Sequence, residues 1–309
     1  QPCGLNLSEA CSITAAMVGV FNGIKDHSVP PNAGSFRRVE VLLRENCVTG
    51  IPRHPHSCSV ATTNLADRIS NPTQRALAEL AEGFGMAETG PIIPPTCGVI
   101  SGRDPRHDNE LYVNQLILGV TGGAGAPEAD AWMPIVHVGN AGMCRQDSIE
   151  VDELSHPLHV PCRRLLADTE GAGTFRGAPS IEVEFGPADD NSMRVLYVAD
   201  GTINPAAGAR GGLPGAPIKV FKRGGNGEVT AQAAYGDVEL MPGETIISIS
   251  SGGGGYGPPG KREAGRVKHD LDEGWITRER AETVYGLTLD DAGEIDLAAT
   301  EARRAGASE

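Results

Sequence analysis

Ile13, Ala16, Met17, Val20, Phe21 and Ile24 fall at helical spacing, which predicts a helix over residues 9–24. Gly23 to His27 ends it, and Val29-Pro30-Pro31-Asn32-Ala33-Gly34 reads as a rigid loop. Val39, Val41 and Leu43 then alternate with polar neighbours and predict a strand over 38–44. Asn71-Pro72 has the form of an N-cap followed by a proline at the first helical position, so a second helix is expected from 71 to Glu82. Strands are predicted near 111–120 and 134–139, with a short acidic helix or turn at 147–155.

Beyond Pro161 the pattern changes to short apolar runs at 181–185, 193–199, 218–221, 229–234 and 245–250, separated by Gly-, Asp- and Pro-rich turns. That spacing predicts an antiparallel sheet or small barrel. The end returns to helix, at 263–273 before Gly274 and from a Thr277 cap to Tyr285 before Gly286. The expected class is α+β: a strand-rich mixed region (1–162), an antiparallel β region (163–257) and a short C-terminal helical pair (258–309).

Composition narrows the function classes. Lys plus Arg is 26 against 40 Asp plus Glu, a formal charge of −14, which disfavours nucleic-acid and anionic-membrane partners. No apolar run reaches the roughly 20 residues that cross a bilayer. Gly 41 and Pro 22 in 309 residues, with 4% aromatics, fit a turn-rich globular protein. The seven cysteines form no CxxC pair, and with no secretory signal reduced thiols in a cytoplasmic protein are expected. The opening Gln1-Pro2-Cys3-Gly4 has no Met, so a processed chain or part of a longer one is expected.

Local motifs for chemistry are few. Gly252 to Gly257 contains GxGxxG after a strand, but Pro258-Pro259 follows, so no helix can begin there to hold a pyrophosphate, and a tight structural turn is the expectation. Gly122-Gly123-Ala124-Gly125 allows close approach of backbone to a ligand or to another strand. No P-loop, GxSxG or HExxH is present. His156, His159 and Cys162 could converge on a metal, as could His54, His56 and Cys58. Prolines interrupt both sets, so no metal is expected on this chain. Asp26-His27 and Asn32 to Arg37 could surround a polar ligand, or could simply cap turns and pair with neighbours.

Taken in order, several stretches resemble the hydantoinase B/oxoprolinase family: Asp26-x-x-Val29-Pro30-x-Asn32-Ala33-Gly34-Ser35-Phe36-Arg37, Gly122-Gly123-x-Gly125-Ala126 with Asp130 and Asn140 downstream, and Glu150-x-x-Glu153. Gly171-x-Gly173-x-Phe175-Arg176-Gly177, the Gly252–Gly257 run and Gly274-Trp275-Ile276-Thr277 continue the series. Thr121, Ala178 and His156 depart from the family pattern. The resemblance covers the C-terminal half of a typical member. It implies the β-type subunit of an ATP-dependent cyclic amide hydrolase, in which ATP activates a carbonyl by phosphorylation before water opens the ring. ATP and Mg would sit on an ATPase-type hydantoinase A subunit. A divalent metal would belong to the N-terminal segment of the same β-type subunit, and the substrate would be a small cyclic amide. By this resemblance Asp26 or His27 would act as general base, with Asn32 and Arg37 orienting the amide. The backbone of Gly122, Gly123 and Gly125 would approach the ligand, and Asp130, His137 and Asn140 would line the pocket. Two other roles stay open: a subunit of an acetone/acetophenone-type carboxylase, and a non-catalytic assembly half.

Overall fold

The computed structural model describes residues 4–24, 26, 28–58, 62–133, 136–137, 142–143 and 145–306. The first helix, α1 (Glu9–Gly23), begins where Ser8 accepts a bond from the Cys11 N–H and ends at an extended Ile24. It packs on α3 (Thr62–Leu80). Glycine makes this contact possible, because a Cβ on Gly19 would stand 2.6 Å from the Ser70 carbonyl oxygen. Between them the one-turn α2 (Ala33–Phe36) is capped by Asn32, whose side chain accepts from the Gly34 and Ser35 N–H groups.

The helix expected to begin at Asn71 begins instead at residue 62, and Pro72 lies inside it. Asn71 is buried there and clamps Thr89, donating to its carbonyl and accepting from its N–H. A side chain suited to capping is thus used for a long-range contact, which local sequence does not reveal. Residues 38–44 form no strand, because no neighbouring strand pairs with them among the described residues. Their alternation survives, with Val39, Val41 and Leu43 half-buried and the residues between them exposed.

Two antiparallel sheets make the body. The first runs in the order β10 (Tyr235–Leu240), β7 (Met193–Val198), β1 (Val99–Asp104), β2 (Glu110–Gln115). The second runs β5 (Leu158–Leu165), β6 (Ile181–Pro187), β11 (Thr245–Ile249), β8 (Lys219–Arg223), β9 (Val229–Ala231). A two-stranded ribbon, β3 (Val136–His137) with β4 (Gly142–Met143), stands apart, and the acidic turn is α4 (Ile149–Ser155). The core lies between the sheets, where Ile100, Met193 and Val195 of the first meet Val183, Phe185, Val220 and Ile246 of the second. The first sheet joins strands from both sides of residue 162.

The fold is therefore α+β, with antiparallel sheets and a helical C-terminus. Strand β1 escapes the sequence pattern because Gly102 interrupts it, and that gap is filled by the Tyr112 ring, whose hydroxyl lies 2.8 Å from where a Cβ would stand. Strand β5 escapes it because Pro161 reads as a break. It is tolerated since β5 is an edge strand, and the register with β6 shifts between His159 and Cys162. Strand β10 was also not anticipated. Apolar residues 116–120 continue past β2 without a ladder, and the predicted 229–234 shortens to β9. The strand expected at 134–139 falls partly outside the described residues, which retain β3.

At the end α5 (Ala264–Asp272) and α6 (Arg278–Thr283) form the predicted pair. Thr277 caps α6 by accepting from the Arg280 N–H, and Gly274 and Gly286 turn with φ of 71° and 66°. A further helix, α7 (Leu297–Gly306), follows them. Val267, Ile276, Ala281, Tyr285 and Leu287 give this tail its own buried cluster.

Candidate functional site

Helix α1 packs small residues against its neighbour and carries its large apolar side chains elsewhere. Ser12, Ala15, Gly19 and Gly23 are buried, and the helix lies against α3, while the buried Met17 lines the groove described next. The other side, with Ile13, Thr14, Val18, Phe21 and Asn22, opens into a groove of about 460 Å³. Val29, Pro31 and Phe36 form its far wall, and Phe36 meets Phe21 edge-on at 5.2 Å. Asp26 is its charged lining residue among those described. Both the N–H and the hydroxyl of Ser28 donate to Asp26 Oδ1, at 2.9 and 2.6 Å, so the carboxylate is held in a fixed direction.

The other residues expected here fare differently. Asn32 commits its side-chain oxygen to capping α2, while Arg37 is exposed at the C-cap of that helix. His27 and Asn140 lie outside the described residues, as does the side chain of His137 on β3. Gly122, Gly123, Gly125 and Asp130 belong to a second locality. One hydrogen-bond chain joins the two: Asn22 donates to Gln74 at 3.3 Å, Gln74 to the Ala87 carbonyl at 2.7 Å, and the Ala87 N–H to the Gly125 carbonyl at 3.1 Å. Gln74 is fully buried and was not anticipated from sequence.

The second locality is built of backbone. Successive N–H groups of the 252–256 run donate to carbonyls of Ala216, Ala178, Glu88, Leu213 and Phe175. Bonds leaving in rotation toward different segments are those of a three-residue-per-turn extended chain with no bonds of its own. This run is the axial chain of a glycine layer, and the turn expected there is confined to Gly257, where φ is 73°. The packing admits no side chain. A Cβ on Gly253 would come within 1.7 Å of the Gly123 carbonyl oxygen. Gly122, Gly123 and Gly125 approach this axial chain and residues 175–178 closely, as their small size suggested.

Asp130 sits where that layer meets the C-terminal helices. Arg262 donates to both its oxygens, at 2.6 and 2.9 Å, and the Arg176 N–H donates to it as well. Burial pushes this carboxyl up, but the bonds and charge of Arg262 outweigh it and leave the group below its usual range. Asp270, 1% exposed, accepts from both Arg176 and Arg262, and Arg176 also lies 4.7 Å from the Trp275 ring centre. Beside it Arg280 and the Tyr285 hydroxyl both donate to Glu170, whose carboxyl burial nevertheless pushes up. These ion pairs fasten the tail to the glycine layer.

The histidine sets do not converge. His156 stacks on Tyr112 and bonds Asn114, His159 pairs with Glu153, and Cys162 faces Glu182. His56 bonds the Arg53 carbonyl, while Cys58 bridges to Asn6 in the backbone. Among the described residues no three His, Cys, Asp or Glu side chains gather as a metal site, and no helix is long and apolar enough to cross a membrane. None of the five described cysteines forms a disulfide.

The sequence profile described as hydantoinase B/oxoprolinase matches residues 1–259. The chain belongs to this family. Among its hydantoinase B relatives, the beta subunit of caprolactamase from Pseudomonas jessenii is 31% identical over 93% of this chain and 50% of its own length. A putative D-/L-hydantoinase B subunit from a Pseudomonas strain is 24% identical over 89% and 45%. The acetophenone carboxylase delta subunit of Aromatoleum aromaticum is 24% identical over 90% and 45%. The solved ATP-dependent caprolactamase of Pseudomonas jessenii shares the fold, with a TM-score of 0.79 and 25% identity over 98% of this chain and 52% of that one. Nucleotide-free acetone carboxylase shares it too, with a TM-score of 0.76 and 18% identity over 99% and 45%. The chain thus spans about half the length of the curated relatives it matches.

Proposed function

We propose that this chain is part of the β-type subunit of an ATP-dependent hydrolase that opens a lactam or hydantoin ring. What supports this most is the caprolactamase likeness, which runs through both the groove and the glycine layer rather than through one motif. Amide resonance makes such a carbonyl a poor electrophile. Phosphorylation of its oxygen removes that protection, so water can add to the carbon. The ring C–N bond then breaks as nitrogen takes a proton, and a second water displaces phosphate from the acyl group. ATP and Mg belong to an ATPase-type hydantoinase A subunit in this reading. A divalent metal, where one is used, belongs to that half of the β-type subunit which lies outside the matched length. The complex is cytoplasmic.

This chain contributes the shape of the substrate pocket and a surface for its partners. Asp26 is its strongest candidate base, since it lies on the groove wall with its carboxylate oriented by Ser28. His27 next to it is the alternative. Ring opening of ε-caprolactam, hydantoin and 5-oxoproline by the full complex, with and without ATP, tests both the reaction and the residue. Asp26→Ala lowers turnover by about 10²-fold or more if it transfers a proton; unchanged turnover removes it from the chemistry. The carboxylase relatives favour a second reading, and it replaces the first if the complex fixes bicarbonate onto a ketone instead of opening a ring.

A further inference from the structure

From Ile24 to Cys58, Gly50 is the one buried residue among those described, although the stretch holds Val29, Phe36, Val39, Val41, Leu42, Val48 and Ile51. Leu42 is 84% exposed. Residues 38–44 have the alternation of a strand and no ladder partner among the described residues. Beside them the large apolar side chains of α1 open into the groove. A helix that carries large apolar residues away from its packed face is expected to be covered there too, and exposed apolar surface of this kind marks an interaction site. The sheets of the body enclose a continuous core, although the first of them also leaves Leu111, Val113, Leu196, Val198 and Tyr235 exposed.

We infer that the apolar wall of the α1 groove, with Ile13, Val18 and Phe21, together with the extended 38–44 segment is the seat of the other half of the hydantoinase B architecture, so that Asp26 faces the junction between the halves. Whether that half is continuous with this chain or a separate polypeptide does not alter the surface. The commitment to this occupant comes from length: the relatives extend over about twice the matched region, so a body of similar size accompanies this fold in each of them. The inference rests on the proposed place of this chain in a β-type subunit.

The test places p-benzoylphenylalanine at Val18 on the groove wall, at Leu42 on the extended segment, and at Glu228 on the distant β8–β9 turn. Each variant is made in the source organism, purified with whatever accompanies it, irradiated, and mapped by mass spectrometry. The expected result is adducts from Val18 and Leu42 to peptides matching the part of the caprolactamase beta chain that this chain does not cover, with none from Glu228. Adducts to an ATPase-type subunit or to a second copy of this chain overturn the assignment, as does the absence of adducts while such peptides are present. If the preparation contains no sequence matching that uncovered part, the reading of this chain as part of a β-type subunit fails instead, and the assignment falls with it.

Discussion

Two regions of the folded chain solve opposite problems. Around Gly252–Gly255 every residue is buried, and the packing is of backbone on backbone, with side chains excluded because there is no room for them. From residue 24 to 58 apolar side chains are present, but among those described they are half-buried or exposed and none is buried. One region is finished and intolerant; the other has a surface waiting for a counterpart. The difference teaches that apolar content alone does not locate a core, since the more apolar-looking loop is the exposed one and the glycine run is the interior.

The sharpest way to break that contrast is at Gly253. A methyl group there overlaps the Gly123 carbonyl oxygen, and neither backbone can move without breaking bonds of the axial chain. Gly253→Ala is expected to destabilise by at least about 4 kcal/mol or prevent folding altogether. Thermal unfolding followed by circular dichroism checks this; a wild-type midpoint would show that the layer is plastic.

Next in size is the fastening of the tail. Removing the Asp270 carboxylate leaves Arg176 and Arg262 buried, with Arg262 retaining Asp130 and Arg176 retaining only the Gly177 carbonyl and the Trp275 face. Asp270→Ala should cost about 3 kcal/mol, because a broken buried pair strands a charge. Chemical denaturation measures it, and limited proteolysis should show α5 to α7 released first.

The sequence exposed much of this architecture but not its logic. The C-terminal caps at Thr277, Gly274 and Gly286 were legible because each is a local device with its own residue signature. Five of the later strands were legible from apolar runs, one of them longer in the prediction than in the fold. The glycine layer was not, because hydrogen bonding that radiates to segments as distant in sequence as Glu88 has no short-range pattern. Asn71 misled for the same reason, its amide serving Thr89 rather than a helix start. Of the candidate site, the Asp26 loop could be located, and the resemblance tied it to chemistry. Gln74, which joins groove to glycine layer, carried no signal beyond being a polar residue in a helix.

A smaller effect concerns charge in the body, at Asp152 on α4 and Asp104 at the end of β1. Burial, with Asp147 adding to it, pushes the Asp152 carboxyl up to about 6, and its Oδ2 makes no hydrogen bond. A folded-state value above the unfolded one means the folded state binds the proton more tightly. Stability contributed by this group is therefore greatest at low pH and falls as pH rises from about 4 to about 6. Asp104 works in the opposite sense, held down to about 2 by its bonds to Arg106, so its contribution is lost as pH falls from about 4 through about 2. Asp152→Asn should stabilise by about 1–2 kcal/mol at pH 7 and leave stability at pH 4 unchanged. Urea midpoints of both proteins at the two pH values decide it, and an equal difference at both would refute titration as the cause.

The smallest expected effect lies in the unfinished region. Leu42 is almost fully exposed, so Leu42→Ser removes no buried surface and should change the stability of this chain by less than about 0.5 kcal/mol. The same substitution should lower the yield of crosslink from Val18, because it alters the counterpart's seat without altering the fold. A large loss of stability would mean that residues 38–44 already belong to a core. An unchanged crosslink yield with unchanged stability would mean that the seat ends at the groove and excludes the extended segment. The pairing of these two readouts separates a surface kept for a partner from a loop that is merely apolar, since only the former couples a silent substitution to association.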